Sequence, residues 1–344
     1  MAIKKKTPEK LNYSAELQKL KEMPPQRLYV LYGPEDYLRD YYLDMLKKKC
    51  LLDEEDSFSY RRINEESPSA ETIREAVDAV PFLSERTLVE LHGIDINRLK
   101  DTDKFIEVFS DIPDYCTLVM ILDSEYEPDK RLKLIKFLQK KAAMLCFAEQ
   151  DEGKLLNWIR KRFEAYGKSI ELEAARRLIF LCGNLMNKLI PEIDKIAAFV
   201  KTDRVSLKDV NEIAVPVPDA VVFQMTEFIA EKRFNTAFDI LHDLIAEGQE
   251  PIMILAMLGA QIRNLYAARL ALNYRLGAGF LLENSSIKYE MQARQTMRAA
   301  EKFSEIQLRR AAAECARADY RMKSSGEESE SILVDLLVRI AAEK

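Results

Sequence analysis

At 344 residues, with 48% hydrophobic and 32% charged residues, the chain is long enough for two or three domains with real cores, and no window approaches the ~20 apolar residues of a membrane span. A net charge of -5 argues against a chain coated in nucleic acid. Five scattered cysteines (Cys50, Cys116, Cys146, Cys182, Cys315) without CxxC spacing argue against a disulfide framework or zinc site and fit a reducing cytoplasm, and two histidines, His92 and His242, leave little for triads or metal ligation and read as structural.

Residues 1–10 are polar and basic, unlike a signal peptide, and read as a disordered leader. Leu17 and Leu20 suggest a short amphipathic helix before Pro24-Pro25. The first β-like run, Arg27 to Tyr32, ends in Gly33-Pro34-Glu35-Asp36 and opens a helix from Tyr37 to Cys50. Nucleotide-binding α/β domains place a phosphate loop here, which would continue through four spacers to Gly-Lys-Ser/Thr. Instead Gly33 is followed by Pro34, Glu35, Asp36, Tyr37, Leu38 and Arg39, with no second glycine, loop lysine or magnesium-binding hydroxyl. Two carboxylates stand where a triphosphate would need positive charge and free N–H groups.

Further strand-like runs are Ser57 to Ile63, Thr87 to Leu91, Cys116 to Leu122 and Ala143 to Phe147. The third of these is apolar almost throughout, as in a parallel strand buried on both faces. Helical patterns at Ser69–Val80 and Asp129–Lys140 separate them, so the first part of the chain reads as a doubly wound α/β domain. Pro81 cannot continue the helix predicted to end at Val80, which leaves Phe82 and Leu83 at a helix–strand corner. By spacing alone the pair fits core residues closing the sheet edge, or an exposed wedge for an apolar pocket of a partner. Asp123, at the end of the fourth run, has the place of a magnesium-binding strand-end aspartate; without a phosphate loop it reads as a turn residue. Lys130, Arg131, Lys133, Lys136, Lys140 and Lys141 read as a basic helix, most simply a solvated face, with an acidic neighbour or a DNA backbone as the alternative.

After Ala148 the β pattern stops. Glu149 to Gly153 reads as an acidic hinge, residues 154–210 as helical throughout, and Pro216 and Pro218 as a second linker. Long helices follow, ending in one whose stripe is Ile332, Leu333, Leu336, Leu337 and Ile340. Residues 261–323 hold an excess of Lys and Arg that shrinks once Glu327, Glu328 and Glu330 are included, a weak nucleic-acid signal. The expected domains are 11–148, 149–215 and 216–344.

Several stretches, taken in order, resemble the delta-subunit family of the bacterial DNA polymerase III clamp loader. They are Leu28 to Leu38, Val80 to Arg86, Asp129-Lys130-Arg131, Gly183-Asn184 with Glu192 to Ile196, Gly248 to Ile252 with Gln261-Ile262-Arg263, and Ala318 to Lys323. Leu185 and Ser324-Ser325 depart from the family's usual pattern. The resemblance implies a fold that is α/β plus all-α. Its parts would be an AAA+-like (RecA-like) doubly wound parallel-sheet domain, a small helical domain and a C-terminal helical bundle or collar for oligomerisation. It further implies a cytoplasmic, non-catalytic subunit of the DNA polymerase III holoenzyme that acts in DNA replication by binding and opening the sliding clamp (beta subunit) for loading onto primed DNA. Neighbouring ATPase subunits and delta prime would complete the ring, with no cofactor, metal or catalytic residue in this chain. The clamp contact would be Phe82 and Leu83, with Pro81 shaping the corner. The competing readings are an active AAA+ ATPase, which needs the missing loop, and a helical nucleic-acid-binding adaptor, which predicts salt-dependent DNA binding by the chain alone.

Overall fold

The computed structural model describes residues 12–51, 58–82 and 84–342; the expected leader, Leu83 and the first residue of the second strand-like run lie outside them. The chain divides into two compact units, residues 1–151 with 185–187, and residues 152–184 with 188–344.

In chain order the first unit contains α1 (Tyr13–Glu22), β1 (Leu28–Tyr32), α2 (Asp36–Cys50), β2 (Tyr60–Asn64), α3 (Ala70–Val77), β3 (Thr87–His92), α4 (Thr102–Ser110), β4 (Cys116–Ile121), α5 (Lys133–Lys141) and β5 (Ala143–Cys146). All five strands expected from the apolar runs are present. They form a single parallel sheet in the order β2-β3-β4-β1-β5. β4 is buried along its whole length and β1 almost so, because helices cover both faces. Leu28 and Val30 face a core with Ile73, Phe105, Leu134 and Leu138, while the alternate residue Tyr29 meets the Tyr42 ring of α2. β2 is an edge strand, and its exposed Arg61 and Arg62 discourage pairing with another chain.

Two helix boundaries are corrected and one further helix is present, while Asp123 is a turn residue as expected. α3 ends at Val77, not Val80. The hydroxyls of Tyr115 and Thr87 donate to the carbonyls of Asp78 and Ala79, and a residue before proline disfavours the helical region. α5 begins at Lys133, not Asp129, because Asp129 accepts the N–H of Arg131 in a side-chain-closed turn. Lys130 and Arg131 therefore precede the helix. α4 was not anticipated, although Phe105, Val108 and Phe109 carry the helical spacing. Asp123 lies exposed after β4, and its backbone carbonyl accepts the Tyr126 N–H to close the turn.

The second unit continues with α6 (Glu152–Ala165), β6 (Ser169–Ile170), α7 (Leu172–Cys182), α8 (Met186–Phe199), β7 (Arg204–Val205), α9 (Leu207–Ile213), α10 (Pro218–Ala230), α11 (Phe234–Ala246), α12 (Pro251–Asn273), α13 (Gly279–Asn284), α14 (Glu290–Glu301), α15 (Glu305–Ser324) and α16 (Ser329–Ala342). The first three residues around the start of α8 group with the first unit. Residues 154–210 are thus not helical throughout: β6 and β7 pair in parallel. α12 is the central helix, with Leu255, Leu258, Ile262 and Leu265 buried against a core that includes Leu308 of α15 and the expected stripe of α16. Arg294, Lys302, Arg317, Arg321 and Lys323 each pair with an acid of this same unit, so much of the basic character of residues 261–323 is matched internally. Among the described residues no single helix is long and apolar enough to cross a membrane.

Candidate functional site

In open parallel sheets the ligand crevice lies at the carboxyl ends of the strands, where the connections change direction. Here that place is the end of β1, flanked by β4 and β5, and it is occupied by the turn from Gly33 to Asp36. Gly33 has φ +112°, and a Cβ there would stand 2.6 Å from the carbonyl oxygen of Phe147. That carbonyl accepts the Glu35 N–H at 2.9 Å, and the Phe147 N–H donates to Tyr32 at 2.7 Å. The glycine is therefore required by close backbone packing beyond β5, which is a structural reason independent of any phosphate.

Two of the turn's N–H groups are used internally: Glu35 donates to Phe147, and Asp36 donates to the Pro34 carbonyl at 3.1 Å. Glu35 itself is fully buried. One carboxyl oxygen accepts the Met186 N–H at 3.3 Å, and the other has no partner. Burial pushes the Glu35 carboxyl up to about 7, with Asp36 and Glu149 adding repulsion and the N–H groups of Met186 and Tyr37 opposing it. Arg39 pairs with Asp36 at 2.8 Å and with Asp40 at 3.1 Å, so its charge is spent within the helix. A buried acid and a neutralised arginine are the reverse of an anion cradle.

The Glu35 geometry has a measurable consequence. A carboxyl whose native pKa lies above its unfolded value stabilises the fold at low pH, and that contribution fades as pH rises from about 4.5 through about 7. Glu35→Gln should therefore gain on the parent as pH rises, by up to about 3 kcal/mol at pH 8. Urea titrations at pH 5 and pH 8 check this; an unchanged difference between the two proteins at both pH values contradicts it.

A second buried carboxylate, Glu90 of β3, explains His92. Glu90 accepts from Tyr60 at 2.8 Å and lies 2.9 Å from His92 Nε2, with the Lys47 ammonium 3.1 Å from its other oxygen. Burial works against its charge, but His92, Lys47 and Tyr60 outweigh it and hold the carboxyl below its ordinary value. His92 is thus a packing partner, and His242 stands exposed on α11. No group of His, Cys, Asp and Glu among the described residues is placed to hold a metal ion.

The helix–strand corner before β3 has a different character. Phe82 is 76% exposed, so it does not close the sheet edge as a core residue, and Val80 beside it is 72% exposed. Pro81 is half-buried, and Leu83 lies outside the described residues. The base of the corner is tied down. Phe82 N–H donates to the buried Ser59 Oγ at 3.3 Å, and Arg86 turns inward to the Cys116 carbonyl and Thr117 hydroxyl, each at 3.1 Å. Phe58 stands over this base, 72% exposed, with its ring 5.9 Å from that of Phe82. The sequence contains no signal joining Phe58 to Phe82; the parallel pairing of β2 and β3 brings their preceding residues together.

Residues 29–147 match the family described as DNA polymerase III, delta subunit, and residues 219–340 match DNA polymerase III delta subunit, C-terminal domain. Together these cover more than half of the chain. Among curated proteins, DNA polymerase III subunit delta of Bacillus subtilis is 24% identical over 328 residues, covering 93% of this chain and 94% of the relative. A probable DNA polymerase III subunit delta of Aquifex aeolicus is 20% identical over 256 residues, covering 72% and 71%. Among solved structures, the Bacillus subtilis DNA clamp loader delta protein aligns with a TM-score of 0.53 at 22% identity, over 96% of this chain and all of that one, a likeness of fold.

Proposed function

Because the chain belongs to the DNA polymerase III delta-subunit family, we propose that it is the clamp-contacting subunit of a clamp loader, binding the sliding clamp through the Phe82 corner and favouring its opened ring without hydrolysing ATP itself. The observation that carries this reading is the exposed Phe82 on a rigid base, a large aromatic left in water where a core role was available. Leu83 and Pro81 complete the contact. The absence of catalysis is supported by the Gly33 turn, where the Glu35 and Asp36 N–H groups are engaged within the turn and with Phe147, the nearby Arg39 is paired with Asp36, and Glu35 is a buried acid.

Opening works by differential affinity: the wedge fits the opened clamp better than the closed one and shifts the population accordingly. The helices of 149–215 serve as a small domain and those of 216–344 as a collar that joins the ATPase subunits and delta prime. Primed DNA meets the assembled complex in the cytoplasm. Titration of the full chain with purified sliding clamp, and separately with ATP, tests the proposal. Micromolar or tighter clamp binding and no saturable ATP binding are expected. Saturable binding of ATP, or failure to bind the clamp, overturns it.

A further inference from the structure

Phe58 is an exposed aromatic at the corner that the contact so far leaves unused. We propose that Phe58 is a second anchor for the sliding clamp, covered together with Phe82 by the same apolar surface of the partner. The proposal rests on the reading that this corner meets the clamp.

Three observations support the pairing. The rings stand 5.9 Å apart between centroids and tilted by 53°, within the range of favourable aromatic contact, so each restrains the other. Ser59 locks their two segments together. Its hydroxyl accepts the Phe82 N–H, while its carbonyl accepts the Leu88 N–H of β3 at 2.8 Å. Phe58 and Phe82 are each more than 70% exposed and, ring against ring, form one apolar patch on a pre-organised base. A pocket deep enough to remove water from Phe82 reaches a ring 5.9 Å away. Central, rigid aromatics are the side chains that carry most of an interface's affinity. A single-stranded nucleic acid is a poorer occupant. Stacking platforms lie in positively charged grooves, whereas Arg86 here is turned inward onto Cys116 and Thr117.

The test is a titration of the full-length chain with purified sliding clamp, comparing the parent with Phe58→Ala, Phe82→Ala and the double variant. Urea titration of each reports whether the fold is kept. Phe58→Ala is expected to weaken binding about tenfold. The double variant should lose less than the product of the single losses, because neighbouring anchors share one pocket. If Phe58→Ala does not fold, Phe58→Leu serves in its place, with an expected loss of about threefold. Binding within twofold of the parent by the folded Phe58 variant, alongside a large loss in Phe82→Ala, overturns the second anchor and leaves the Phe82 contact standing. Parent-like binding by all variants overturns both. Loss of binding to a single-stranded oligonucleotide, with clamp affinity unchanged, also overturns the inference.

Discussion

Replacing Phe82 and Leu83 together by alanine is expected to weaken clamp binding by roughly 10²- to 10⁴-fold while leaving the fold intact. Complete burial of each side chain is worth ~1.5–3 kcal/mol, and each 1.4 kcal/mol is a factor of ten in affinity. The fold should survive because Phe82 is mostly in water in the free chain and its backbone, not its ring, makes the bond to Ser59. Exposed large apolar residues contribute little to a core, so truncation removes partner contacts selectively. Isothermal titration against the clamp, with circular dichroism and urea midpoints as controls, measures both halves of the prediction. A double variant that binds like the parent removes the corner from the mechanism.

Gly33→Ala is expected to destabilise the chain by roughly 2–6 kcal/mol, combining backbone strain and steric overlap. At φ +112° an L side chain is strained whatever the space, and here the space is absent: the Phe147 carbonyl lies 2.6 Å from the new Cβ. Relief would require the turn to leave Phe147, breaking the bond from the Glu35 N–H and opening the burial of its side chain. Urea or thermal midpoints check the loss; parental stability would mean that the turn can rearrange freely. Where the variant is still folded, its clamp affinity should be near that of the parent. Gly33 follows β1 whereas Phe82 precedes β3, so in a parallel sheet they stand at opposite edges, roughly a strand's length of ~17–20 Å apart.

The elements of the first unit were legible because its central strands are buried on both faces and its helices carry apolar stripes. Leu118 to Ile121 could hardly be anything but an interior strand. Ends were less legible. α3 stops at Val77, and the carbonyls just beyond it, those of Asp78 and Ala79, are taken by the hydroxyls of Tyr115 and Thr87. β6 and β7 have two residues each, too short for any alternation to register. Phe58 was invisible as a contact for a related reason: the β2–β3 pairing together with the Phe82 N–H bond to Ser59 sets it beside Phe82.

Residues close in sequence determined a good deal by themselves: the order of the five sheet strands, the turn without a second glycine or lysine, and the proline at the corner before Phe82. These follow from local chemistry, in which periodicity, charge and backbone restriction act over a few residues. Only the tertiary structure decided what those residues meet. It places Phe147 against Gly33, the Met186 N–H against a buried Glu35, and Phe58 against Phe82, on the opposite edge of the sheet from the turn. Such encounters depend on strand order and register, which bring together residues tens to more than a hundred positions apart, and an apolar run records that it will be buried without recording its neighbour.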